Sequence, residues 1–176
     1  ASSSAAPSTA AAPGTAAPGT AAPSSPAAQR ECPLKAEEVR APAGATQDLS
    51  QKPAVRGSRD PAPSTVQVAD IVEGKGQEAR TLDQVEVKYV GAFYDTGKEF
   101  DSSWSRGKDE TLPFTVCAGG VIPGFSVAPT GMKVGGRRQV TIPARFGYGA
   151  QGQPPTIPGG ATLVFVLDLV EVTTGG

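Results

Sequence analysis

Between Val140 and Leu169 the chain reads VTIPARFGYGAQGQPPTIPGGATLVFVLDL, and this stretch limits the fold more than any other. A short apolar run, Val140 to Ile142, stops at Pro143. A loop dense in Gly and Pro follows, and neither residue suits the interior of a helix. From Thr162 to Val172 a long strand alternates two sets of apolar residues. Phe165 shares one strand face with Leu163, Leu167 and Leu169, because alternate side chains point the same way. Tyr148 stands in the loop between Gly147 and Gly149, so a large ring is held on a permissive backbone. Upstream, Gly120-Val121-Ile122-Pro123-Gly124-Phe125 offers a second aromatic site. These pieces are expected to close around one small apolar pocket.

Composition decides how much of the chain can take part. Residues 1–30 are Ala, Pro and Ser-rich and carry no acidic or aromatic side chain. Ala12-Pro13-Gly14-Thr15-Ala16 repeats directly as Ala17-Pro18-Gly19-Thr20-Ala21. Such a segment cannot bury enough apolar surface to offset its ordering entropy, so a flexible spacer is expected. Every Phe, Tyr and Trp lies beyond Ser64. The expected organisation is a spacer at 1–30, an extended arm at 31–63 and one folded domain at 64–176. Within the arm, Cys32 to Arg40 could form one or two helical turns. Pro42, Pro53, Pro61 and Pro63 forbid anything longer.

Several functions drop out early. The net charge is −1, without the basic footprint of a nucleic-acid binder. No apolar run reaches the roughly 20 residues of a spanning helix. With no His, imidazole-based triads, metal sites and proton shuttles are excluded. Cys32 and Cys117 are too few for a structural zinc site. They are either a disulfide, if the chain works outside the cytoplasm, or two unrelated thiols. Gly74-x-Gly76-x-x-Ala79 follows a strand, but too few residues precede the next strand for a dinucleotide-binding helix. Asp95-Thr96-Gly97 occurs once and is followed by Lys98, which reads as a hairpin turn and not as an aspartic-protease motif.

The domain itself reads as short strands. Val66 to Val72 is the first. Val85, Val87 and Tyr89 alternate with Glu86 and Lys88 in the second, which continues to Phe93-Tyr94. Glu99 to Ser103 returns from the turn. Trp104 to Leu112 is a polar loop, and Pro113 to Val116 is another strand. Pro123 suits the first position of a helix and Pro129 ends it, giving two turns at most. Arg137 to Ile142 is the next strand. The fold class is α+β: a twisted antiparallel sheet around one short helix.

Six phrases then coincide in order and spacing. They are Val87-Lys88-Tyr89-Val90-Gly91, Gly97-Lys98-Glu99-Phe100-Asp101-Ser102-Ser103, Val121-Ile122-Pro123-Gly124-Phe125, Met132-Lys133-Val134-Gly135-Gly136, Phe146-Gly147-Tyr148-Gly149-Ala150 and Ala161-Thr162-Leu163-Val164-Phe165. Together they resemble the FKBP-type peptidyl-prolyl cis-trans isomerases, bacterial ones in particular, over about Thr65 to Val172. The resemblance implies an enzyme that needs no cofactor and no metal. It implies Xaa-Pro polypeptides as substrates, immunosuppressant macrolides as further ligands, and a monomer.

The resemblance also implies a pocket in which a proline ring sits among Tyr89, Phe100, Phe114, Val121, Phe125, Ile157 and Phe165. Phe125 would be the floor, where the family usually has Trp. Tyr148 and the Ile122 N–H would hydrogen-bond carbonyls of the bound chain, and Asp101 would pair with Arg106 or orient Tyr89. Taken singly, Phe165, Phe100 and Val121 read as core, Tyr89 as a buried strand residue and Asp101 as a turn cap. Only the joint pattern favours a pocket. A rival reading is a binding module or holding chaperone of the cell envelope that keeps the pocket and turns over poorly. The Ala/Pro/Ser tail and the missing initiator Met suggest export, extracellular or envelope-bound, with a lipid anchor on a residue now missing. The alternative is a cytoplasmic protein.

Overall fold

The computed structural model describes residues 32, 34–118 and 120–174. The spacer expected at 1–30 lies outside them. Seven strands form one sheet: β1 (Glu37–Glu38), β2 (Gln67–Val72), β3 (Gln84–Phe93), β4 (Glu99–Ser102), β5 (Leu112–Thr115), β6 (Arg137–Ile142) and β7 (Leu163–Thr173). The spatial order is β1-β2-β6-β7-β3-β4, and β5 also pairs with β3. Among the described residues one α-helix, α1 (Pro123–Val127), follows β5.

The pairing is antiparallel except between β1 and β2, which run parallel. Here the expected helical turn in Cys32–Arg40 gives way to a strand. The Glu37 and Val39 N–H groups donate to the Val66 and Val68 carbonyls, each at 2.8 Å. An available sheet edge satisfies these backbone groups, and a local helical preference yields to it. The segment from Trp104 is likewise more ordered than a loop. Ser103–Arg106 forms a 3-10 turn, opened by the Ser102 hydroxyl accepting from the Trp104 N–H at 3.0 Å.

β3 is the spine of the sheet. Along one edge it pairs with β7 from Gln84 to Phe93. Its other edge is shared, with β5 against Gln84–Val87 and β4 against Val90–Ala92. At the junction the Ser103 hydroxyl accepts from the Tyr89 N–H at 2.9 Å, so a side chain stands where strand pairing is interrupted.

Both faces of β7 are covered, as its two apolar sets require. Leu163, Phe165, Leu167 and Leu169 join the main core. Val164, Val166 and Asp168, on the opposite face, are also buried. At Asp168 that second face is tied to the arm. Arg137, wholly buried, holds the Asp168 carboxylate through Nε and Nη2 at 2.5 and 2.7 Å. Its remaining N–H groups donate to the carbonyls of Thr46, Asp48 and Gln51 at 2.8, 3.3 and 2.9 Å. A guanidinium has five donors in a fixed fork, and here they join β6, β7 and the arm. Cys32 and Cys117 are paired, with Cα atoms 5.3 Å apart, inside the disulfide range.

α1 is short because Pro123 opens it and Pro129 follows closely, as expected. Gly124, Phe125, Ser126 and Val127 are all buried. At Gly124 an added Cβ would lie 2.6 Å from Ile142 Cγ2, so only glycine lets the helix sit this close to β6.

Candidate functional site

Phe125, projecting from α1, is the centre of an aromatic cluster on the inner face of the sheet. Its ring centroid lies 5.0 Å from Phe165 of β7, 5.2 Å from Phe114 of β5 and 5.8 Å from Tyr89 of β3. Phe100 of β4 closes the ring at 5.6 Å from Phe165. Three of these four contacts are edge-on, an arrangement that the quadrupoles of aromatic rings favour, and the fourth is tilted. Tyr89, Phe125, Ile157 and Phe165 are fully buried and form the base, with Val121 and Ile122 nearly so. Phe100, Phe114 and Tyr148 are half-buried and form the rim.

A glycine makes the assembly possible. Gly91 pairs with Asp101 across one edge of β3 and with Phe165 across the other. A Cβ there would lie 2.7 Å from Phe165 Cε1 and 2.9 Å from Phe100 Cζ. The two rings therefore occupy the space that any other residue at 91 would fill. Gly91 belongs to a phrase read from the sequence, but its role required the fold.

One edge of the cluster is polar. The Tyr89 hydroxyl donates to Asp101 Oδ2 at 2.5 Å and accepts from Arg106 Nη2 at 2.9 Å. Arg106 Nη1 meets Asp101 Oδ1 at 3.2 Å. Both roles expected of Asp101, pairing with Arg106 and orienting Tyr89, are thus filled at once. Burial, and then the Asp101 carboxylate, push the Tyr89 hydroxyl well above the ordinary tyrosine range. The same two causes, in the same order, raise Tyr148, which places its hydroxyl within the field of Asp101. Both groups are therefore neutral hydroxyls at physiological pH.

Ile122 caps α1 in an extended conformation (φ −60°, ψ 148°), and its carbonyl accepts from the N–H groups of Phe125 and Ser126, each at 3.0 Å. Ring contacts join Tyr89, Phe100, Phe114, Phe125 and Phe165, and Asp101 bonds Tyr89, while Val121, Ile122, Ile157 and Tyr148 belong to or pack against the same hydrophobic core. Phe93 was missed. Its ring lies 5.1 Å from Phe100, and the alternation Tyr89, Gly91, Phe93 could have placed it on the same face. Among the described residues no group of three or more His, Cys, Asp or Glu is placed to hold a metal, and no helix is long and apolar enough to cross a membrane.

A short helix seated in a twisted sheet, with an aromatic base and a Tyr–Asp–Arg edge, defines a small class of proteins. Residues 75–170 match the family described as FKBP-type peptidyl-prolyl cis-trans isomerase, and the chain belongs to that family. It is 45% identical to a probable FK506-binding protein of Corynebacterium glutamicum over 69% of this chain and 98% of that one. Identity to an FK506-binding protein of Streptomyces anulatus is also 45%, with the same coverage. Among solved structures, FkpA from Escherichia coli is 34% identical, with a TM-score of 0.56, over 72% of this chain and 55% of that one.

Proposed function

We propose that the aromatic cluster receives the proline ring of a polypeptide and speeds rotation about the Xaa-Pro bond. The observation that carries this reading is the convergence of Tyr89, Phe100, Phe114, Phe125 and Phe165 from five separate elements beside a single charged edge. Rotation faces a barrier of about 18–20 kcal/mol from amide resonance. The planar form is charge-separated and favoured by water; the twisted form is less polar. An apolar site therefore disfavours the planar imide more than the twisted one, and only such differential binding accelerates a step. Tyr148 and the Ile122 N–H would hold carbonyls of the bound chain on one side of the bond while the other side turns. Neutral hydroxyls suit that task, since a phenolate could not donate.

The same site would accept FK506-like macrolides, as the names of the relatives suggest. The substrates in this reading are exported polypeptides. The Cys32–Cys117 pair supports an oxidising compartment. The floor residue favours weighing a second reading. Phe125 offers a smaller ring than Trp and no indole N–H, which suits a module that binds prolyl segments and turns over poorly.

A protease-coupled prolyl-peptide assay separates the two. Isomerase activity in the parent, reduced several-fold in Tyr148→Phe and kept or raised in Phe125→Trp, supports the enzyme. Saturable binding of the peptide with no rate enhancement supports the module. No binding at all removes both.

A further inference from the structure

A cavity of about 820 Å³ lies beside the aromatic cluster, between three walls. One is the arm, Ser58 to Ala62. The second is the hairpin from Phe93 to Lys98. The third is the loop Thr156 to Thr162. Its volume falls within the range of ligand sites, roughly 300–1,000 Å³.

Two of the walls are shared with the prolyl site. Phe93 lines the cavity and packs at a tilt against Phe100, with ring centroids 5.1 Å apart. Thr156 and Pro158 line the cavity, while Ile157 between them is buried in the core.

The walls are tied to one another by hydrogen bonds. The Ser58 N–H donates to the Tyr94 carbonyl at 2.9 Å, and the Tyr94 hydroxyl donates to the Pro61 carbonyl at 3.4 Å. The Tyr94 N–H joins the third wall through the Thr162 carbonyl at 3.0 Å. Lys52, also on the arm, meets Glu99 of β4 at 2.8 Å. Preformed walls lower the ordering cost of binding. On the third wall Gly160 has φ +76°, and an added Cβ there would meet open space. The lining carries two cations, Arg59 and Lys98, and two anions, Asp60 and Asp95, and hence no net charge.

We propose that this cavity is a groove for the polypeptide segment next to the isomerised proline, seating an extended stretch of no strong net charge. The inference rests on the prolyl-site reading. It adds that residues 58–62, which precede the family-matched stretch 75–170, take part in substrate selection.

The test compares kcat/KM for a tetrapeptide and for two octapeptides sharing its Xaa-Pro core, one extended before the proline and one after. At least one octapeptide should exceed the tetrapeptide by tenfold or more, and the ratio should survive 0.5 M salt. Ala62→Trp on the arm and Thr96→Trp on the hairpin both fill the groove from exposed positions. Each should bring the ratio toward one, with far-UV circular dichroism unchanged. Equal values for all three peptides in the parent overturn the groove. So does a ratio abolished by salt, or unaltered in both variants. A parent that neither turns over nor binds the tetrapeptide removes the prolyl site instead, so the two failures are distinguishable.

Discussion

Replacing Gly91 with alanine tests whether the aromatic cluster is built as described. The backbone at 91 lies outside the left-handed region, so alanine adds no dihedral strain. The added methyl lies 2.7 Å from Phe165 Cε1, about 0.7 Å inside an ordinary 3.4 Å contact, and 2.9 Å from Phe100 Cζ. Phe165 is fully buried and packed on Phe125, so it has nowhere to retreat. Overpacking of this kind costs about 1–3 kcal/mol. Loss of glycine's excess unfolded-state freedom in a strand returns about 0.5–1 kcal/mol. The net expectation is a destabilisation of up to about 2.5 kcal/mol, read from urea midpoints at constant m-value.

Activity should fall further than stability. Displacing the rings by a large fraction of an ångström is on the scale at which positioning losses approach a hundredfold, so kcat/KM should drop by about ten- to a hundredfold. Adding Phe100→Leu to Gly91→Ala relieves the lesser of the two clashes and should restore part of the stability without restoring full activity. A Gly91→Ala variant as stable and as active as the parent would refute the idea that these rings sit over the glycine.

Three further outcomes follow from other parts of the molecule. Arg137→Met strands the buried Asp168 carboxylate and three arm carbonyls, and should cost about 3–5 kcal/mol in urea denaturation, most of it recovered in Arg137→Met/Asp168→Leu; a loss below 1 kcal/mol would count against the clasp. Reducing the Cys32–Cys117 pair frees a separation of 85 residues and should lower stability by about 4–5 kcal/mol in the chain-entropy limit; identical urea midpoints with and without reductant would contradict the pairing. The hydroxyls of Tyr89 and Tyr148 are raised above the unfolded value of about 10, so the folded state keeps protons that the unfolded chain has lost. Their stability contribution is complete below pH 10 and declines above it, by up to about 1.4 kcal/mol per pH unit for Tyr89, while kcat/KM stays level from pH 6 to 9. Midpoints that rise between pH 10 and 11 would reverse that sign.

Local chemistry made some elements legible. Pro123 and Pro129 bracketed a helix of about one and a half turns, and Arg137 to Ile142 was bounded by Gly136 and Pro143. The site residues were legible only jointly, because a buried Phe looks alike in a core and in a pocket. What escaped depends on partners distant in the chain. Nothing near Arg137 signals that it reaches Asp168 on one side and Thr46 to Gln51 on the other. Glu37 and Glu38 carry no strand signal of their own and become one only because β2 has an unpaired edge. Gly91 gave no local turn signal, since its constraint comes from two rings that arrive from other strands.

The divided edge of β3 has a consequence for how this sheet meets other chains. Where β4 and β5 part, the Ser103 hydroxyl already occupies the Tyr89 N–H. The outlying strands β1, β4 and β5 offer only two, four and four residues. An extended polypeptide approaching sideways therefore finds no long ladder on which to zip itself, and short margins of this kind discourage edge-to-edge aggregation. In the proposed reading, such a polypeptide is met instead by the side chains of the aromatic cluster, where association can be brief and reversible.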